Sequence, residues 1–501
     1  MSQPGDGPIV RTSSGLVRGE TIDGVCRFLS IPYAANPVGE LRFCAPERHP
    51  AWEGVRDALA PGPSAPQPLP AARNLGGLDL SPLFAVEWSP DRPFLTANVW
   101  TPDPNTAGLP VMVFIHGGAF LVGGKDAPLY DGAAFARAGV VLVSINYRMG
   151  LEGFVHIPGA DSNLGLRDPL AALAWVRDNA RAFGGDPANV TVFGESAGAM
   201  IISDLIASPL AEGLFQRAIV QSGHGGMVRR PEVALKLTRL LAKRLNVSPD
   251  AAGFASRDIA EGLEAVEWSA QPTTRLNLRD GSGRDPTFGL SKYLPVFGDE
   301  VLPEPPLEAL KHGAGVKVDL LIGANREEMN FYFVPTGVVK KMRSWLARFM
   351  LGRVQPQPGR ILRDYGLGKK GRSPGAALAE AMTDLVFRLP ARRYAAEHRG
   401  RTHVYDFGWR SPACGGELGA CHGLELAFVF NTLAAATGPD GLVGPNPPQE
   451  LADRIQKLWV DFARDGTAYW PEYSRDDRQV LALETGEWAA EPIAPAAAYL
   501  L

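Results

Sequence analysis

The fold is decided by the stretch Val-Thr-Val-Phe-Gly-Glu-Ser-Ala-Gly-Ala-Met, residues 190–200. Its β-branched start predicts a strand, its Gly-x-Ser-x-Gly centre a tight turn, and the residues from Ala199 onward a helix. Glycines are needed on both sides of the serine because the backbone of such a turn is strained and passes close to its neighbours. The turn would present Ser196 at the N-terminus of a helix, whose dipole favours negative charge. We therefore predict that Ser196 is the nucleophile of an acyl-transfer enzyme.

A second motif, upstream of the serine, predicts the hydrogen-bond donors that acyl transfer needs for a tetrahedral oxyanion. Residues 111–120, Val-Met-Val-Phe-Ile-His-Gly-Gly-Ala-Phe, have the pattern of a strand that ends in a His-Gly-Gly loop. In enzymes with this serine turn, the oxyanion loop lies in such a position. We expect one donor from the backbone N–H of Ala197 and two more from this loop.

Short apolar runs bounded by Gly, Pro and Asn recur along the chain and predict buried strands. Helical patterns lie between several of them, such as residues 168–183, where apolar side chains recur at steps of three or four. Strands that alternate with helices imply a large, mostly parallel central sheet covered by helices on both faces. Together with the serine turn, this order predicts the α/β-hydrolase fold. The strands are expected at residues 111–115, 140–145, 190–193, 218–220 and 320–322.

The composition argues against several classes of protein. Fifty Lys and Arg against 54 Asp and Glu in 501 residues leave a net charge of -4, unlike the basic balance of nucleic-acid-binding proteins. Met1–Pro8 lacks the basic and apolar regions of a signal peptide. A run of about 18 apolar residues, long enough to span a membrane, is absent from the sequence. We expect no nucleic-acid partner, no membrane span and a cytoplasmic location.

The four cysteines are too few for a disulfide framework in a chain of this length, and they show no Cys-x-x-Cys spacing. Cys26, Cys44, Cys414 and Cys421 are therefore expected to be free thiols in a reducing cytoplasm. Cys414, Cys421 and His422 could form part of a zinc site, but a fourth ligand is not evident. We predict that the protein uses no metal and no other cofactor.

Residues 340–372 are unusually basic, with ten Lys or Arg and a single acid, Asp364. A helical pattern within this segment predicts an apolar face, with Lys341, Ser344 and Arg348 opposite. The favoured interpretation is a lid helix whose charged face is solvated. The alternative is contact with an anionic membrane surface or attraction of acidic substrates. The apolar face would consist of Met342, Trp345, Leu346, Phe349 and Met350.

Further segments spread over the chain are Phe28–Ala34, Leu41–Phe43, Asn98–Pro102, Ser144–Arg148, Asn163–Asp168, Phe183–Pro187, Leu458–Ala463 and Trp470–Pro471. With the two motifs above, they resemble the type-B carboxylesterase family of cholinesterases, liver carboxylesterases and bacterial para-nitrobenzyl esterases. The resemblance implies a single α/β-hydrolase domain over residues 1–501, with an inserted helical lid region at about 335–400 that contributes to the pocket mouth. It also implies hydrolysis of carboxylic esters through an acyl-enzyme.

The resemblance implies the remaining triad residues. Residues 321–328, Leu-Ile-Gly-Ala-Asn-Arg-Glu-Glu, look like the segment whose second acid serves in the family's triad, hence Glu328. Residues 419–430 are similar to the segment that holds the triad histidine, hence His422. The order Ser196, Glu328, His422 is the order expected of this fold.

Both the acid and the histidine have competitors in the sequence. Glu327 is adjacent to Glu328, and Met329 stands where the family usually has glycine. Seven other histidines are present, of which His116 and His224 are expected near the pocket. Neither follows the acid in the chain, as the order of this fold requires.

The resemblance also places two oxyanion donors at Gly118 and Ala119, next to the expected donor Ala197. In the implied mechanism, His422 takes the proton of Ser196, the acid orients the histidine ring, and water hydrolyses the acyl-enzyme. The expected partner is a small-molecule ester, and the expected state is a monomer or weak homodimer. The alternatives are an amide or carbamate hydrolase with the same triad, or a non-enzymatic adhesion or scaffold protein of this fold.

One stretch departs from the family pattern. Residues 89–98 lack the family's acidic pair and its cysteine. The missing acid is expected to leave Arg42 without its usual ion pair unless Asp91 replaces it. The loop at residues 67–87, which shapes the pocket mouth in relatives, is therefore not predicted from them.

Overall fold

A computed structural model describes residues 7–68, 74–271 and 273–499. The start of Met1–Pro8 and part of the 67–87 loop lie outside these residues. At the centre is an 11-stranded sheet. Its strands, labelled β1 to β11 in chain order, are Glu20–Ile22, Val25–Pro32, Thr96–Thr101, Leu109–Ile115, Val141–Ile145, Gly185–Glu195, Arg217–Gln221, Asp319–Asn325, Thr402–Phe407, Gln479–Ala482 and Glu487–Ala490.

The sheet is mostly parallel, as the sequence predicts, with the strand order β11-β10-β9-β8-β7-β6-β4-β5-β3-β2-β1. Strands β4 to β10 run parallel to one another, whereas β1, β2, β3 and β11, at the two edges, pair antiparallel with their neighbours. The five predicted strands are confirmed as parts of β4 to β8. Strand β6, which leads to the serine turn, lies between β4 and β7 in the parallel part.

Helices connect and cover the strands. The predicted helix at 168–183 begins earlier, at Leu164, and continues from Asn179 into a 3₁₀ turn. Pro169, which lacks an N–H and is typical of a helix start, lies inside this helix instead. The α-helices, labelled α1 to α17, are Ala133–Arg137, Gly150–Phe154, Leu164–Asn179, Ala197–Ala207, Pro231–Leu245, Ala251–Ala255, Ile259–Ala270, Pro306–Lys311, Asn330–Phe333, Val338–Lys341, Ser344–Gly352, Pro358–Asp364, Pro374–Thr383, Leu389–Glu397, Leu426–Val429, Leu433–Ala436 and Gln449–Asp465.

Both faces of the parallel sheet are buried, which explains why its strands are continuous apolar runs. Val111, Val113 and Ile115 of β4 belong to one core, together with buried residues of α3 and α4. Met112 and Phe114 belong to a second core, together with buried residues of α17. The two cores arise because successive side chains of a strand point to opposite faces.

The predicted apolar face of the basic segment is wrong in part. In α11, Trp345 and Phe349 are 64% and 59% exposed, whereas Ala347 and Leu351 are buried. Helix α11 packs against α12 and α13, and its contact side consists of small and aliphatic side chains. The pattern in the sequence could not predict this orientation, because it does not include the neighbouring helices.

The expectation that Arg42 lacks an ion pair is also wrong. Its Nε and Nη2 donate to the two carboxylate oxygens of Glu152, at 3.0 and 2.7 Å, and both side chains are buried. Asp91 is exposed and is not this partner. Glu152 lies in α2, far along the chain from Arg42, so the sequence did not indicate the pair.

The cysteines Cys26, Cys44, Cys414 and Cys421 are free thiols. Within the ranges that the structure describes, no helix combines the length and the apolar character needed to cross a membrane.

Candidate active site

Ser196 lies in a strained turn between β6 and α4. Its φ and ψ angles are 55° and -122°, and a positive φ in a residue other than glycine persists only where the surrounding structure enforces it. A Cβ atom at Gly194 would lie 2.5 Å from the carbonyl oxygen of Ile115, and one at Gly198 would lie closer still. The end of β4 therefore requires glycine on both sides of the serine.

Ser196, His422 and Glu328 form one hydrogen-bonded row. The Nε2 atom of His422 lies 2.8 Å from the Oγ of Ser196, and its Nδ1 lies 2.6 Å from Oε2 of Glu328. All three side chains are buried. They come from segments that follow β6, β8 and β9. Because the C-terminal ends of parallel strands meet at one edge of a sheet, the fold brings these distant segments together.

The adjacent acids Glu327 and Glu328 have different surroundings. The Oε1 of Glu328 accepts hydrogen bonds from the backbone N–H of Asn325 at 2.7 Å and from the hydroxyl of Ser222 at 2.6 Å. Both oxygens of this buried carboxylate are thus held in place. Glu327 instead forms an ion pair with Arg410 near the surface.

The other two histidines expected near the pocket bind backbone carbonyls. The Nδ1 of His116 lies 2.8 Å from the carbonyl oxygen of Gly117, and the Nε2 of His224 lies 2.8 Å from that of Val386. Burial lowers the pKa of both histidines to about 4. Both rings are therefore neutral at pH 7, and the histidine whose ring is hydrogen-bonded to the serine in the described structure is His422.

Sequence reasoning missed two further buried carboxylates. The Oε1 of Glu195 lies 3.1 Å from Nε2 of His422. Glu425 accepts hydrogen bonds from the side-chain amides of Asn325 at 2.5 Å and Gln221 at 3.1 Å. Both acids lie inside segments that the sequence analysis singles out, Glu195 directly before the serine in residues 190–200 and Glu425 three residues after the histidine in residues 419–430. Their position in the motifs was the available signal, but spacing alone does not show that a side chain points inward.

These carboxylates control the proton on the histidine. Burial by itself would lower the pKa of His422, but the negative charges of Glu195 and Glu328 outweigh burial and raise it above its usual value. Burial raises the pKa of Glu195, although His422 opposes this shift. Removing the Glu195 carboxylate should therefore lower the pKa of His422.

The His-Gly-Gly loop lies against the serine turn. Gly118 and Ala119 have φ angles of 120° and 56°, and a Cβ at Gly117 would lie 3.1 Å from the Cβ of Ser196. Among the residues described, the backbone N–H groups of Gly118, Ala119 and Ala197 donate to no backbone carbonyl outside their own helix or strand. These three N–H groups are available to a bound oxygen.

Aromatic rings enclose the histidine. The ring of Phe387 lies 4.8 Å from that of His422, and those of Tyr332 and Phe331 lie at 5.6 and 6.4 Å. Phe387 belongs to a π-helical turn, Asp384–Arg388, a feature that often occurs at functional sites. In the described part of the chain, His, Cys, Asp and Glu side chains form no group of three that could hold a metal ion.

Comparisons with known proteins show which family the chain is similar to. Residues 6–494 match the model of the carboxylesterase family. The chain is 37% identical to the para-nitrobenzyl esterase of Bacillus subtilis strain 168, over 95% of each chain. It is 34% identical to the phenmedipham hydrolase of Pseudarthrobacter oxydans, over 97% of this chain and 96% of that protein. The solved carboxylesterase EST55 of Geobacillus stearothermophilus has a TM-score of 0.82 and 33% identity, over 98% of this chain and 100% of that one.

Proposed function

Because this chain belongs to the carboxylesterase family and is a carboxylic ester hydrolase, we propose that Ser196, His422 and Glu328 carry out its reaction on small-molecule esters. The observation that carries the assignment is the row of hydrogen bonds from the Ser196 hydroxyl through both ring nitrogens of His422 to Glu328. A nucleophile, a base and a group that orients the base are the parts that acyl transfer needs.

The reaction proceeds in two halves. The Oγ of Ser196 attacks the ester carbonyl carbon while Nε2 of His422 takes the hydroxyl proton, and Glu328 stabilises the imidazolium. His422 then gives its proton to the departing alcohol oxygen, which leaves an acyl group on Ser196. In the second half, His422 deprotonates a water that attacks the acyl carbon, and the serine regains its proton as the acid departs.

The backbone N–H groups of Gly118, Ala119 and Ala197 stabilise the oxyanion in both halves. Their lack of backbone acceptors elsewhere and the contact of their loop with the serine turn support this role. Each such donor contributes about 3 to 4 kcal/mol to transition-state stabilisation. Since the donors are backbone groups of the His-Gly-Gly loop and of the first residue of α4, they are already oriented before the substrate arrives.

Two features support a single domain over residues 1–501 with a helical lid region at about 335–400. The strands of the main sheet extend from Glu20 to Ala490, so one sheet uses most of the chain. The lid region contains Phe387, whose ring packs 4.8 Å from that of His422. A region that combines short helices with this contact is suited to line the pocket mouth.

The four free thiols support a cytoplasmic location, since cysteines tend to pair in oxidising compartments. A monomer or weak homodimer is our proposal for the oligomeric state. Sedimentation velocity at several protein concentrations tests it, and a stable higher oligomer would contradict it.

A fluorophosphonate probe tests the nucleophile directly. We expect covalent labelling of the peptide that contains Ser196, and Ser196→Ala should abolish both labelling and hydrolysis of para-nitrophenyl butyrate. Ser203→Ala is the matched control, because Ser203 is also buried in α4 but donates its hydroxyl to the carbonyl of Ala199. Labelling of another serine, or turnover by the Ser196→Ala variant, would refute the assignment.

The acyl preference is tested with para-nitrophenyl esters from acetate to long chains. We expect short and medium chains to have the highest kcat/KM, and amide analogues of the same acyl groups to be slower. A higher kcat/KM for the amides would instead identify an amide hydrolase that uses the same acyl-enzyme.

A further inference from the structure

The lid region carries a basic, aromatic surface that belongs neither to the proposed catalytic triad nor to the hydrophobic core. Its aromatic members are exposed on α11, and its exposed cations lie at the end of α10, just before α11, on α11 and on α12. We call it the α11 surface and define it by Lys341, Arg343, Trp345, Arg348, Phe349 and Arg363.

The two rings of the α11 surface point to solvent side by side. Trp345 and Phe349 are four residues apart in a helix, so they lie on one face, one turn from each other. Trp345 is 64% exposed, more than Trp488 at 46% on the edge strand β11. Because α11 uses Ala347 and Leu351 for packing, its largest apolar side chains are left in water.

Among the residues that the structure describes, the cations of the α11 surface have no carboxylate within ion-pair distance. In the described part of segment 340–372, the ion pairs are those of Lys340 with Glu417 and of Arg372 with Glu380. The segment's one acid, Asp364, accepts a hydrogen bond from Tyr499. The other basic residues of the segment form no ion pair with the part of the chain that the structure describes.

Two of these cations lie close together. The Nε of Arg348 and the Nη1 of Arg363 are each 3.8 Å from the position that a Cβ would take at Gly359. They are thus no more than twice that distance apart. Like charges at this separation repel each other, so a phosphate group between them would be favoured.

We propose that the α11 surface binds the surface of a lipid bilayer that contains anionic phospholipid. Tryptophan and phenylalanine gain by leaving water at the level of the headgroups, while Lys and Arg keep their charged ends among the phosphates. The net charge of the whole chain is -4, so the rest of the molecule is repelled by the same bilayer. This asymmetry orients the protein with α11 towards the lipid.

Co-sedimentation with vesicles tests the proposal. We expect the full-length protein to bind vesicles of phosphatidylcholine with about 30% phosphatidylglycerol, but not vesicles of phosphatidylcholine alone. Raising the ionic strength from about 0.05 to about 0.5 M should release it, because salt screens the attraction.

Two variants separate the contributions of charge and aromatic area. Arg348→Gln/Arg363→Gln should lower the partition coefficient about 25-fold, at about fivefold for each basic residue near an anionic surface. Trp345→Ala/Phe349→Ala should lower it at least about tenfold through lost apolar contact. Hydrolysis of a soluble ester should be unchanged in both variants, which shows that they are folded.

Matched controls carry the same substitutions elsewhere. Trp488→Ala removes an exposed tryptophan from the edge strand β11, and Arg239→Gln/Lys243→Gln removes two exposed cations from α5. Both should keep vesicle binding. The proposal is wrong if the protein does not bind anionic vesicles or binds neutral vesicles equally well. It is also wrong if vesicle binding depends on the two arginines but not on the two aromatic rings. The last result would indicate a site for acidic macromolecules.

Discussion

The catalytic centre and the α11 surface use charged and aromatic side chains in opposite environments. At the centre, Glu328 is 0% exposed and both its oxygens have donors. On the α11 surface, Arg348 and Arg363 are exposed and have no carboxylate partner in the described chain. A buried charge depends on its partners because it has lost its water, whereas an exposed charge does not. Substitutions should therefore be costly at the centre and nearly silent for catalysis on the α11 surface.

The largest effect on kcat is expected at Glu328, the acid of the proposed catalytic triad. Glu328→Gln removes the charge that stabilises the His422 imidazolium and should lower kcat by about 10⁴-fold, as in other triads. Glu327→Gln is the adjacent control and should stay within about tenfold of the parent, because its partner Arg410 is near the surface. Steady-state kinetics with para-nitrophenyl butyrate measures both. The reverse outcome would move the catalytic acid by one position.

A buried pair outside the active site separates burial from catalysis. Arg42→Met leaves Glu152 buried without its partner and should lower the free energy of unfolding by about 3 to 5 kcal/mol. Urea denaturation measures this loss. Arg42→Met/Glu152→Leu should recover part of it, since no unpaired charge remains. An Arg42→Met variant as stable as the parent would show that burial alone does not make a charge depend on its partner.

A smaller effect is expected in the pH profile. Glu195 and Glu328 raise the pKa of His422, and kcat/KM is lost as pH falls through the pKa of the base. Glu195→Gln removes a negative charge beside the ring, lowers the pKa of His422, and should move the acidic limb about one unit to lower pH.

The pH dependence of kcat/KM on a soluble ester measures this shift. Glu425→Gln is the comparison, because Glu425 raises the pKa of His422 less than Glu195 and Glu328 do, and its shift should be smaller. An acidic limb that stays in place or moves to higher pH in Glu195→Gln would show that Glu195 does not control the proton.

The smallest effect is expected on the α11 surface. Arg348→Gln/Arg363→Gln should change kcat/KM on a soluble ester by less than about twofold and the free energy of unfolding by less than about 0.5 kcal/mol. The same kinetic assay and urea titration measure both quantities. A larger loss in either would mean that these exposed cations support the fold or the pocket, and the contrast between the two regions would fail.

Much of the fold was predictable from local patterns. Residues 190–200 predicted the strand, turn and helix that the structure has, because the glycine positions of that turn are set by contacts with β4. The apolar runs predicted β4 to β8 because both faces of the parallel strands are buried. The serine turn also predicted Ser196, and the family resemblance implied His422 and Glu328. The structure brings these three side chains within hydrogen-bonding distance. Their catalytic roles stay a prediction.

What the sequence by itself determined was local: which residues form strands, where the serine turn lies, and which motifs follow the strands. Outside the row of Ser196, His422 and Glu328, tertiary structure alone decided which distant side chains meet. The pairing of Arg42 with Glu152, the approach of Glu195 to His422, and the outward position of Trp345 belong to this group. The physical reason is that backbone geometry and glycine sterics act between neighbours in the chain, whereas ion pairs and the orientation of a helix depend on surfaces supplied by remote segments.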